Sequence, residues 1–140
     1  EEVGRLAGLV VDWMRWIIGN APEAAQHLHA EATVKRWERG NDVILRGAPV
    51  LVVAHAEKGN RMAPSTCTIA LTYLELAAPS LGLGGCWAGY FHAAAATFPP
   101  LQEALALPDG HLTYGGLMLG YPRFKYHRLP PRKTPHVTWR

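Results

Sequence analysis

The chain has 140 residues, 49% of them hydrophobic and 18% charged, with a formal net charge of +3. That is the size of one ordinary domain and the composition of a chain that buries a core, which excludes a disordered polymer. The longest apolar stretch, Leu6 to Ile18, is interrupted by Asp12 and Arg15 and falls short of the roughly 18–20 residues that span a bilayer.

In chain order, Leu6, Leu9, Val10, Trp13, Met14, Ile17 and Ile18 recur at helical spacing, predicting an amphipathic helix that Gly19 ends. Asn20 is positioned to cap a second helix, with Pro22 in its first turn and Glu23 at the capping-box spacing. That helix is expected to run to about Arg39 and stop at Gly40, with a thin apolar face. Pro49 to Ala56 (PVLVVAHA) is a short β-branched run, read as a buried strand. Ser65 or Thr66 then caps a third helix carrying Ile69, Ala70, Tyr73, Leu74, Ala77, Ala78 and Leu81 on one face. Leu71 and Leu76 widen that face, so burial on more than one side is expected. Pro79 kinks or ends the helix, and Gly82 closes it.

The densest glycine stretch follows, Gly82-Leu83-Gly84-Gly85-Cys86-Trp87-Ala88-Gly89. A short helix is expected over Pro100 to Leu107, and Pro108-Asp109-Gly110 is a turn by composition. Leu112 to Leu119 reads as a second strand, and Gly115-Gly116 in its middle mark close approach of another backbone or a ligand. No acidic residue follows Asp109, whereas Arg123, Lys125, Arg128, Arg132, Lys133 and Arg140 do. Prolines and aromatics interleave these charges. The tail is therefore read as an ordered arm that packs on a partner or holds a small phosphate ligand, and bulk nucleic-acid binding is not expected.

The chain opens on Glu1-Glu2, with neither an initiator Met nor the basic start of a signal peptide. The expected compartment is the cytoplasm. Cys67 and Cys86 are then reduced, buried thiols, too few for a disulfide scaffold or an iron–sulfur cluster. Among the seven histidines, none shows the i, i+4 spacing of a helical zinc site, and no metal site is expected. No Ser/His/Asp or Cys/His signature for nucleophilic catalysis is evident either.

Three pieces together resemble the FMN-dependent nitroreductase-like family over roughly residues 45–135. They are Ala48-Pro49-Val50-Leu51-Val52-Val53, the glycine run 82–89 after an Ala/Leu-rich helix, and Leu107-Pro108-Asp109-Gly110 followed by Leu119-Gly120-Tyr121-Pro122 and the Pro/Arg tail. The ending Lys125-Tyr126-His127-Arg128-Leu129-Pro130-Pro131-Arg132 is similar to members that carry an N-terminal ferredoxin-like domain. The resemblance implies an α+β fold, a three-layer α/β/α sandwich with a central, mostly antiparallel sheet, assembled as a homodimer with FMN at the interface. It implies a flavin oxidoreductase that takes electrons from NAD(P)H or a ferredoxin-like donor and reduces nitroaromatic, quinone or related acceptors.

By the same resemblance, Gly85, Cys86, Trp87, Ala88 and Gly89 line the flavin, largely through backbone, and Arg128 and Arg132 hold its phosphate. Guanidinium forks suit a dianion because they bind it bidentately and stay charged. Glycines 84, 85 and 89 let backbone approach a flat ring, and the cofactor itself carries the chemistry. The arginine-rich opening segment of complete members is not found in residues 1–140, so the chain is read as the C-terminal portion of a single flavin domain. A second reading follows from that: a non-catalytic dimerisation module of the same fold that binds no flavin.

Overall fold

In the computed structural model, which describes residues 1–124, 127–128 and 131–140, the first helix α1 runs Glu2–Asn20 and buries Leu6, Val10, Trp13, Met14 and Ile17. Its apolar stripe is the one the periodicity predicts. Asn20 does not cap the next helix; it ends α1, its Nδ2 donating to the Trp16 carbonyl at 2.8 Å. The expected single helix over residues 20–39 is two, α2 Pro22–His27 and α3 Ala30–Glu38, broken where His29 adopts φ 51°. Ala25 and Val34 are both buried. Nine residues of unbroken helix, at roughly 100° each, would set them on opposite sides; the break turns both toward α1.

The 41–49 connection is fixed by Asp42. Its carboxylate accepts from the backbone N–H groups of Ile44, Leu45 and Gly47, each at 2.9 Å, and Ile44 and Leu45 are thereby driven into the core. Strand β1 covers Val50–Glu57. Helix α4, Ala63–Ala77, gives way at Pro79 to a short 3₁₀ turn over Ala78–Leu81, and Gly82 at φ 72° closes it. The expected Ser65 or Thr66 cap is absent; α4 starts at Ala63, after Met62, without a side-chain cap. Strand β2 is Gly84–Trp87, and α5 Gly89–Thr97 follows it directly. Helix α6 spans Pro99–Leu105, and after the 108–110 turn β3 runs His111–Gly120. The four-residue β2 and the alanine-rich α5 are additions to the sequence reading.

The sheet is antiparallel in the order β1-β3-β2, so the last strand is the central one. Consecutive β3 residues point to opposite layers. A Cβ on Gly115 would meet Leu71 of α4 at 2.9 Å, whereas one on Gly116 would meet Phe91 of α5 at 3.1 Å. The three layers follow from this alternation. On the Gly116 side Met118, Phe91, Ala94 and Ala95 join α1, α2, α3 and Leu101 of α6 in the main core. On the Gly115 side the buried hydrophobic residues among those described are Ala63, Cys67 and Leu71 of α4, Ala78 and Leu117.

Two expectations are corrected here. Strand β1 is not buried: Val50, His55 and Glu57 are exposed and the rest are half-buried, because β1 is an edge strand with one thinly covered face. Helix α4 is not buried on several sides: Ile69, Tyr73 and Leu76 are exposed, as is Leu81 of the turn after it, because a single sheet covers one stripe of a helix. Among the described residues, no helix is long and apolar enough to cross a membrane.

Candidate functional site

The junction from β2 to α5 opens on a cleft of about 210 Å³ between the sheet and α4. Trp87, Ala88 and Gly89 form one wall, Tyr114, Gly115 and Gly116 of β3 another, and Thr68 and His92 close the sides. The Ala88 N–H donates to the Gly116 carbonyl at 2.9 Å, which pins the junction to the central strand. Helix α5 starts at Gly89 with no side-chain cap, so its leading N–H groups and the positive end of its dipole meet the cleft. A Cβ on Gly89 would meet nothing within 4 Å; that space is open to a ligand.

Trp87 is 39% exposed, and its indole Nε1 donates to Glu75 Oε2 of α4 at 2.8 Å. The ring thus stands as a fixed wall between α4 and β3, with its edge 3.6 Å from the position of a Cβ on Gly115. The volume lies below the roughly 300–1,000 Å³ of ligand pockets, so this chain supplies one side of a binding site for anything larger than a small ring. The arrangement offers backbone donors, an aromatic wall and a helix N-terminus, a set suited to the polar edge of a flat, electron-accepting heterocycle.

The chain matches the Nitroreductase family over residues 11–121. It belongs to the nitroreductase family. Among solved structures it is similar to a nitroreductase with bound FMN from Bacteroides fragilis, at 26% identity and a TM-score of 0.57, covering 91% of this chain and 66% of that one. A nitroreductase with bound FMN from Desulfitobacterium hafniense shares 23% identity and a TM-score of 0.57 over 75% of this chain and 59% of that one. An FMN- and NADPH-dependent nitroreductase from Sphigopyxis sp. shares 23% identity and a TM-score of 0.52, over 88% and 54%. The chain therefore spans between about half and two thirds of the length of these relatives. No curated protein matches it.

On this nitroreductase scaffold the expected site residues divide. Trp87, Ala88 and Gly89 share the cleft. Gly85 and Cys86 lie one step earlier on β2 and line a separate groove of about 300 Å³ with Arg46, Tyr121 and Arg123. Cys86 is exposed, not buried, whereas Cys67 is buried as expected; β2 is an edge strand, and Gly85, Cys86 and Trp87 are all exposed on it. The tightness of Gly85 comes from protein, since a Cβ there would pack on Leu117 and Leu119 at 3.5 Å. The same holds for Gly115 and Gly116, whose close neighbours are side chains of α4 and α5.

Arg128 and Arg132 are exposed, and neither lines the cleft. Lys125, Tyr126, Leu129 and Pro130 of the same tail motif lie outside the described residues. Sequence reasoning missed Thr68, His92 and Tyr114 in the cleft, Glu75 behind Trp87, and Arg46 and Arg123 in the groove. Only Glu75 carried a signal, as the lone acid on an otherwise apolar helix.

Proposed function

We propose that the chain forms the ring-binding part of an FMN-dependent oxidoreductase of nitroreductase type. The observation that carries this reading is the uncapped N-terminus of α5 facing the cleft beside Trp87. Bound FMN supplies the transfer of electrons from NAD(P)H or a ferredoxin-like donor to a nitroaromatic, quinone or related acceptor. The part of this chain is position and electrostatics. Backbone N–H groups at Gly89 and the following residues stabilise negative charge on the polar edge of a reduced ring. Trp87, tied to Glu75, gives the ring a flat neighbour and keeps water from one side. Gly85 and Cys86, which precede Trp87 on β2 and line the separate groove, are assigned to the flavin with it. Arg132, with Arg128, is assigned to the phosphate, which the extended tail would have to carry to the site.

A second copy is part of the proposal. Ile69, Tyr73 and Leu76 of α4, the latter two 70% and 73% exposed, form an apolar face continuous with Met62 and Leu81. A face of that kind on a soluble domain marks a protein interface, and a homodimer through α4 would bring a second wall to each cleft.

The test is an absorbance spectrum of the purified protein with its mass, followed by FMN addition. Flavin bands that co-purify, or a raised melting temperature on adding FMN, are expected; a ligand at about 100 times its Kd adds about 2.7 kcal/mol. Arg132→Ala is expected to lose the flavin with the fold intact. A protein that stays colourless and gains no stability with FMN would support the other reading, a dimerisation module without flavin, for which the small cleft volume speaks.

A further inference from the structure

Two of the seven histidines, 56 positions apart in sequence, meet on the sheet. His55 of β1 and His111 of β3 face each other Nδ1 to Nδ1 at 3.0 Å, with ring planes inclined by 56°. The register explains the meeting. Ala54 pairs with Gly115 but His55 pairs with Thr113, so Tyr114 is left without a partner at a bulge. Without that extra residue His55 would oppose Tyr114, and His111 would belong to the other face. With it, His55 and His111 are diagonal neighbours on one face, and Glu57 stands directly opposite His111.

At that distance one Nδ1–H donates to the other Nδ1, the tautomer deciding which, and a cation that displaces the shared proton would find both nitrogens as ligands. With metal–nitrogen bonds of about 2.0–2.1 Å, a tetrahedral ion needs its two nitrogens about 3.3 Å apart. An ion that kept the nitrogens at their 3.0 Å separation would see them at about 94°, close to the right angle of a square-planar or tetragonal ion. No group of three or more His, Cys, Asp or Glu side chains assembles among the described residues, so solvent would complete the coordination. His55 is exposed and His111 half-buried, which leaves room for those waters.

We propose that His55 and His111 form a two-imidazole site for a tetragonal divalent cation, with Cu(II) as its strongest ligand. Imidazole is a favoured donor for that ion, and Cu(II) heads the affinity order of the divalent first-row metals. The site stands apart from the flavin cleft and does not depend on the flavin reading.

The experiment uses the whole chain with one equivalent of CuCl2. Electron paramagnetic resonance is expected to report a tetragonal Cu(II) centre with two nitrogen donors. His55→Gln and His111→Gln are each expected to weaken binding about tenfold or more, with His27→Gln as the unaffected control. Circular dichroism and melting without metal check that both variants keep the fold. In the unaltered chain, sub-stoichiometric Cu(II) should broaden the His55 and His111 imidazole signals before those of the other five histidines. Binding that survives both substitutions, or broadening that starts at other histidines, overturns the site.

Discussion

Asp42 turns a nine-residue connection into a fixed corner with one side chain. Replacing it by Ala leaves the N–H groups of Ile44, Leu45 and Gly47 without their acceptor. At about 1 kcal/mol for each bond, less for the exposed Gly47, a loss of about 2 kcal/mol is expected in urea denaturation. Asp42→Asn should lose less, because one oxygen still serves Ile44 and Leu45. Gly115 is the opposite case, a residue defined by what it lacks. Its φ of 146° and the 2.9 Å approach of Leu71 make Gly115→Ala strained in backbone and overpacked, and about 2–4 kcal/mol of destabilisation is expected. The sequence marked Gly115-Gly116 as a place where another backbone or a ligand comes close; the approach is there, but it is made by side chains. That side chains would approach was not legible, because the answer lies in Leu71 and Phe91, 44 and 25 positions upstream.

Helix ends and faces decide more here than helix interiors. Helix α6 stops at Ala106, which takes a left-handed φ of 46°, a conformation that glycine adopts without steric cost. Ala106→Gly is therefore expected to stabilise the protein by about 0.5–1 kcal/mol, read as a rise in melting temperature. Helix α4 is the element whose sequence and environment disagree within one chain: its apolar face is broad, and a single stripe of it is covered. On the proposed dimer, Leu76→Arg should convert a species of twice the chain mass into one of the chain mass in sedimentation, with α4 still helical. If the unaltered chain sediments at 15.4 kDa, the proposed dimer is wrong. Periodicity located α1 and α4, composition located the 108–110 turn and β3, and a β-branched run located β1. Strand β2 and helix α5 were not legible. Gly84-Gly85-Cys86-Trp87 has little strand preference of its own and is extended because β3 offers it an edge. The run Tyr90 to Thr97 is apolar nearly all round and shows no period for a pattern to catch.

At the scale of the molecule, the family resemblance stated from three short sequence pieces agrees with the match over residues 11–121. The layers, the antiparallel sheet and the order of elements agree with that family as well. A flavin site demands more, since it needs walls from several elements at once, and only Trp87, Ala88 and Gly89 of the expected residues stand together. The spectral test with FMN and Arg132→Ala decides the assignment at this scale. The sequence by itself determined which segments are helices or strands wherever a one-sided burial pattern imposed a period, and it pointed to the family, because three short local signals stand in the right order and spacing. Tertiary structure alone decided which residues meet: Glu75 with Trp87 and His55 with His111. The physical reason is that such meetings are fixed by strand register, by a bulge one residue wide and by the order β1-β3-β2, none of which leaves a trace in local spacing.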